Sequence, residues 1–155
     1  MTTTLITGGT VVSATGRASA DVLIDGEKIT AVLEPGSVLL GTDLAASVDT
    51  FIDATGKYVI PGGIDAHTHM QLPFGGTSAS DTFETGTRAA AWGGTTTIID
   101  FAVQTYGQKV LDGLATWHDL AAGNCAIDYG FHQIIGGIDD DSLAVMPTLI
   151  DEGIT

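Results

Sequence analysis

Short apolar runs separated by glycine-rich breaks mark roughly the first 56 residues. Leu5-Ile6 and Val11-Val12 lie on either side of Gly8-Gly9, which reads as a turn. Val22-Leu23-Ile24 and Ile29-Thr30-Ala31-Val32 flank Asp25-Gly26, a pair that tolerates positive φ and so predicts a hairpin. Glu34-Pro35-Gly36 breaks the chain again, and Phe51-Ile52 and Tyr58-Val59-Ile60 flank a turn near Thr55-Gly56. The pattern predicts a small β module over residues 1–56.

After Pro61 the pattern changes, and apolar β-branched runs alternate with helical stripes. Strands are expected over residues 58–64, 95–101 and 127–135. A helix is expected over residues 81–92, with Asp81 and Glu84 at capping-box spacing and Gly93-Gly94 as the stop. Residues 109–122 form a second helix, with Val110, Leu114, Trp117 and Ala121 on one stripe. Residues 142–152 form a third, interrupted at Pro147, and residues 153–155 read as the opening of a fourth strand. Trp92 and Trp117 both read as core, and Asp139-Asp140-Asp141 as a solvated helix start.

Strand–helix alternation at this spacing is the βα repeat of a parallel sheet. A closed eight-unit barrel needs roughly 250 residues, so residues 57–155 hold about three units. Either they are the first units of a longer barrel or they form a small open sheet. An end at a strand entrance favours the longer barrel.

The chemistry concentrates in VIPGGIDAHTHMQLPFGGT, residues 59–77. In a strand, residues i and i+2 share a face, so Asp65, His67 and His69 point the same way if the strand runs that far. Two imidazoles one pleat apart suit a single zinc ion at ~2.0–2.1 Å per nitrogen. By itself the pair is a weak motif, equally open to a structural role. Its position at the end of the first apolar strand of a βα series favours a metal. Two histidines do not complete a catalytic zinc site, which takes three protein ligands and a water.

Composition narrows the partners. Nineteen acids against five Lys+Arg give a formal charge of −14, which removes the basic footprint that nucleic acid or an anionic membrane would need. Hydrophobic residues make up 44%, enough for a packed core. The single cysteine, Cys125, allows no internal disulfide and suits a reducing cytoplasm. It reads as a small buried hydrophobe. The N-terminus has no basic n-region, and no apolar run approaches the ~18 residues of a membrane helix.

PGGIDAHTH, MQLPFGGT, GGTTTIIDF at residues 93–101, DYGFH at 128–132 and DEGIT at 151–155 occur in the order seen in one family. Together they resemble the N-terminal third of the dihydropyrimidinases and D-hydantoinases, cyclic amidases of the amidohydrolase superfamily. The resemblance implies a (β/α)₈ TIM-type barrel with a small β-sandwich domain built from both chain ends. It implies hydrolysis of the cyclic amide of a dihydropyrimidine or 5-substituted hydantoin to an N-carbamoyl amino acid. It also implies two divalent metal ions, usually zinc, bridged by a carboxylated lysine expected just after Thr155, and a tetramer. Of that ligand set only His67 and His69 fall in this sequence. The proton-shuttle aspartate is expected beyond residue 155, so no catalytic acid or base is assigned here.

Around the pair, Asp65 is a candidate for supporting a ligand histidine or for a strand-end cap. Asp100 and His132, on the second and third strands, are candidates to support the metal centre, against ordinary core roles, and Gln104 is a weaker one. Met70, Leu72 and Phe74 alternate with Gln71 and Pro73, and the resemblance makes them a substrate-contacting lid. The alternative is plain packing. Allantoinases and dihydroorotases share the metals but carry a charged segment after H-x-H, whereas residues 70–74 are apolar. Non-catalytic scaffold relatives lack the histidines.

Overall fold

In the computed structural model, which describes residues 2–36 and 44–154, Gly8-Gly9 is a bulge and not a turn. It lies inside one long strand, β1 (Thr3–Ser13). Gly8 adopts φ +72°, which glycine reaches without a Cβ clash, and the register against β2 (Gly16–Asp25) shifts between Ile6 and Gly9. The bulge leaves the Gly8 N–H without a ladder partner. Buried Asp21 accepts it at 3.1 Å through Oδ1 and takes the Gly36 N–H at 3.0 Å through Oδ2.

The expected hairpin forms at Gly26 (φ +60°) and joins β2 to β3 (Lys28–Leu33). After the short α1 (Leu44–Ser47), β4 (Thr50–Asp53) and β5 (Tyr58–Val59) pair in succession with β1, both parallel to it. Between them the chain detours opposite the bulge, tied by Ala54 N–H to Thr7 O (2.8 Å) and Thr10 N–H to Lys57 O (2.9 Å). A Cβ on Gly9 would stand 2.7 Å from Val59 Cγ2, so this close approach requires glycine. The sheet order is β3-β2-β1-β4, with β5 also on β1.

The chain divides into two compact units, Met1–Pro61 and Gly62–Thr155. Residues 58–64 are therefore not one strand. Tyr58-Val59 completes the first sheet, and β6 (Gly63–Thr68) opens the second.

In the second unit β6, β9 (Thr95–Val103) and β10 (Asp128–Ile134) form a parallel sheet with β9 in the middle. A small hairpin, β7 (Pro73–Phe74) and β8 (Thr77–Ser78), follows β6. The crossovers are α2 (Phe83–Trp92) and α3 (Val110–Ala121), and α4 (Asp140–Asp151) follows β10. Alternate residues of β9, Ile98, Asp100 and Ala102, are buried, as the period of a strand requires when one face is covered. Ile98 and Ala102 join one core with Phe83, Val110, Leu114, Trp117, Ala121, Phe131 and Leu149. The predicted α3 stripe is buried throughout.

Four expectations change. The α2 cap is Thr82, whose side chain accepts the Thr85 N–H while Thr85 Oγ1 takes the Thr82 N–H, and Asp81 stands one residue outside it. Trp92 is 89% exposed, because it lies nine residues from buried Phe83, about half a turn around the helix. Helix α4 starts earlier than expected, with Asp139 as its N-cap, and runs through Pro147 without a break. The carbonyl that Pro147 leaves without a donor belongs to Leu143, an exposed residue where water can supply the bond. Ile154 opens no described strand. Its N–H closes α4 on Leu149 O (2.9 Å) while Gly153 N–H meets Ile150 O (3.0 Å), a Schellman ending with both apolar partners buried. Thr155 lies outside the described residues.

Thr82→Ala is expected to destabilise the protein by about 1 kcal/mol, and Asp81→Ala by clearly less, read as shifts in the urea midpoint at constant m-value. The reverse order would return the cap to Asp81.

Candidate metal centre

Strand β6 ends at Thr68, and its register against β9 slips between Asp65 and Thr68. His67 and His69 therefore sit where regular pairing lapses. Alternation still sends both to the face of the sheet opposite the helices. Their Nε2 atoms stand 3.2 Å apart, with ring centroids 4.9 Å apart and planes at 89°. The two nitrogens converge on one point.

That spacing can be tested against a metal. With zinc–nitrogen bonds of ~2.0–2.1 Å, donors 3.2 Å apart subtend about 100° at the ion, close to tetrahedral. Two neutral imidazoles are also the right donor type for a borderline-soft divalent ion. The residues present fit two positions of a coordination sphere. Among the described residues, no group of three or more His, Cys, Asp or Glu side chains is placed to hold a metal.

The floor of the site is Phe101, which composition and spacing did not single out. Its ring centroid lies 4.5 Å from that of His67, 5.1 Å from that of His69 and 4.9 Å from that of His132. The sequence signal was there in principle: Phe101 follows buried Asp100 on β9, so it must face the other way, toward the histidines. His132 Nε2 lies 3.2 Å from the Ala66 carbonyl. A carbonyl only accepts, so this nitrogen carries the hydrogen, and the bond fastens β6 one residue before His67.

The other candidates separate. Asp65 Oδ1 accepts the backbone N–H of His67 at 3.2 Å, a local contact that shapes the strand end. Asp100 is fully buried on the helix side of β9 and accepts from Thr68 Oγ1, Met70 N, Phe101 N and Trp117 Nε1. Met70 and Leu72 are partly buried and pack on the core, and a Cβ on Gly86 would fall 2.3 Å from Met70 Sδ. Phe74, on the β7–β8 hairpin, is 81% exposed. The direction changes at Gln71, which has φ +56° and whose side chain accepts the Phe83 N–H at 3.3 Å.

Gln104 is 4% exposed and clamps two loops at the same end of the sheet. Its Nε2 donates to Gln108 O (2.6 Å), and its Oε1 accepts from Gly136 N (3.0 Å) and Gly137 N (3.3 Å). A Cβ on Gly136 would lie 2.3 Å from the Gln104 carbonyl oxygen, so the approach is open only to glycine.

The family model described as "Amidohydrolase family" matches residues 58–152. The chain belongs to the amidohydrolase family. Within it, the chain is 54% identical to the D-hydantoinase of Streptomyces coelicolor over 152 residues, covering 98% of this chain and 32% of that enzyme. It is 40% identical to the dihydropyrimidinase of Rattus norvegicus, covering 97% and 28%. The crystal structure of dihydropyrimidinase from Brevibacillus agri superposes with a TM-score of 0.88 at 45% identity, over 99% of this chain and 32% of that one. The three-stranded parallel sheet with its helices is consistent with part of a TIM-type barrel, and the chain spans about a third of the length of these relatives. Among the described residues, no helix is long and apolar enough to cross a membrane.

Cys125 is half-buried, and burial foremost, with the Asp100 charge second, holds its thiol above the ordinary cysteine pKa. Its labelling by a thiol reagent at pH 7–8 should be slower than that of a free cysteine peptide. Labelling at the peptide's rate would show an accessible, unperturbed thiol.

Proposed function

We propose that residues 1–155 supply the first part of a cyclic amidase that opens 5,6-dihydropyrimidines or 5-substituted hydantoins to N-carbamoyl amino acids. The observation that carries this is the convergence of His67 and His69 Nε2 at 3.2 Å, at the end of the first parallel strand of a chain similar throughout to D-hydantoinases and dihydropyrimidinases. Divalent metal, when bound, supplies Lewis acidity and makes water reactive at neutral pH. His67 and His69 would hold one of two ions, with zinc the best match to their chemistry. The remaining ligands, a bridging carboxylated lysine among them, and the proton-shuttle aspartate would come from residues after Thr155.

The chain's own residues would then act as a frame. Phe101 and His132 hold the imidazoles' side of β6, Asp65 shapes its end, and Asp100 grips it from the opposite side. Phe74 would contact the ring substituent of the substrate, while Met70 and Leu72 anchor that segment on the core. In this reading the β1–β5 sheet is one part of a small β-sandwich, the domain change falls near residues 56–61, and the protein is a cytoplasmic homotetramer.

The full-length protein should carry divalent metal by elemental analysis and open dihydrouracil or phenylhydantoin, followed by ultraviolet absorbance. Metal removal, His67→Ala or His69→Ala should abolish turnover, and added zinc should restore only the chelated wild type. Turnover of allantoin or dihydroorotate alone would reassign the ring. Neither metal nor turnover would make the protein a non-catalytic scaffold. In Phe74→Ala, kcat/KM ratios between aryl and alkyl hydantoins should shift roughly tenfold or more, as a hydrophobic contact of this size allows. Unchanged ratios would remove Phe74 from the substrate site.

A further inference from the structure

Strand β9 grips the histidine segment from both faces. Side chains 67–69 alternate: the imidazoles of His67 and His69 lie on Phe101, while the Thr68 hydroxyl reaches Asp100 on the other face, where the backbone N–H of Met70 also bonds it. Asp100 Oδ2 accepts Thr68 Oγ1 at 2.8 Å and Met70 N at 2.7 Å. Its Oδ1 accepts Phe101 N at 2.8 Å and the indole Nε1 of Trp117 at 3.3 Å. The two groups taken by Oδ2 lie immediately before and after His69. His69 itself lies past the end of β6, where the backbone ladder no longer fixes it.

Asp100 occupies a fully buried position between Ile98 and Ala102 on β9, where a hydrocarbon side chain would pack as well. Burying a carboxylate is costly unless every acceptor is used, and here each oxygen has two donors. Trp117, on α3, fixes one oxygen, which leaves the other aimed at the loop that carries His69.

We propose that Asp100, braced by Trp117, is a positioning residue that sets the His69 imidazole against His67 through Thr68 and Met70, and so sets the affinity of the site for a divalent cation. The proposal rests on the metal reading given above. It assigns a requirement to the residue between the histidines as well: Thr68 must donate.

The test compares Asp100→Asn, Thr68→Val and Thr68→Ser in the full-length protein with the wild type and His67→Ala. Thr68→Val keeps the shape and removes one donor, and Thr68→Ser restores it. Zinc affinity is measured by competition with a chromophoric chelator, coordination by the visible spectrum of the cobalt-substituted protein, and folding by the melting temperature of the metal-free protein. Zinc affinity should fall about 10–100-fold in Thr68→Val and Asp100→Asn, with an altered cobalt spectrum, and recover in Thr68→Ser. The metal-free melting temperature of Thr68→Val should fall modestly, since Asp100 Oδ2 keeps the Met70 N–H, and should recover in Thr68→Ser, with both variants folded. If Asp100→Asn does not fold, the Thr68 pair decides. Wild-type affinity and spectrum in folded Thr68→Val overturn the positioning role while the metal reading stands. A wild type that takes up no metal, or takes it up equally in His67→Ala, overturns the metal reading and the proposal with it.

Discussion

The two-residue period of an extended chain is the constraint on which this site depends. Through His67, Thr68 and His69 it sends imidazoles to one face of the sheet and a hydroxyl donor to the other, and the backbone N–H of Met70 joins that donor just past the strand. On β9 the same period puts Asp100 and Phe101 back to back. One strand therefore meets both sets, a carboxylate against the donors and a phenyl ring against the imidazoles. Neighbouring groups support that meeting. The core on the helix side seats β9, Trp117 orients Asp100, and His132 pins the Ala66 carbonyl on the approach to His67.

The position of β9 in the order β10-β9-β6 matters for the same reason. A central strand is paired along both sides, so the groups it presents are held by backbone bonds that an edge strand lacks. β6, by contrast, loses register just where its histidines begin. Side chains replace the missing ladder: the Asp65 contact to the His67 N–H, the Asp100 contacts around His69, and the His132 contact behind them. The irregularity is what frees His67 and His69 to turn their nitrogens toward each other.

Much of this could be read in the residues before any coordinates, and the losses have physical causes. Helix α3 was legible because Val110, Leu114, Trp117 and Ala121 repeat on one face and all four are buried. That His67 and His69 share a face was legible from their spacing after an apolar run. Gly8-Gly9 reads as a turn because a glycine at positive φ serves a bulge as well as a turn, and only pairing with β2 and β4 distinguishes them. Trp92 reads as core because aromatic size suggests burial, while its angular position opposite Phe83 sets it outside. Met70 and Phe74, alike in pattern, were separated by Gln71, whose left-handed backbone no spacing rule foretells. Phe101 went unnoticed because its importance lies in what three distant residues place around it.

The Gln104 clamp has a consequence for how this end of the sheet can change. One amide group serves the loop after β9 and the loop after β10, and the Gly136 backbone closes directly on the Gln104 carbonyl. The two loops share a single keystone and cannot be redesigned separately. Lengthening the loop after β10 would draw the Gly136 and Gly137 N–H groups away from Oε1, and lengthening the loop after β9 would draw the Gln108 carbonyl away from Nε2; either leaves one end of the buried Gln104 amide without its partner, so variation in one loop must be answered by compensating variation in the other.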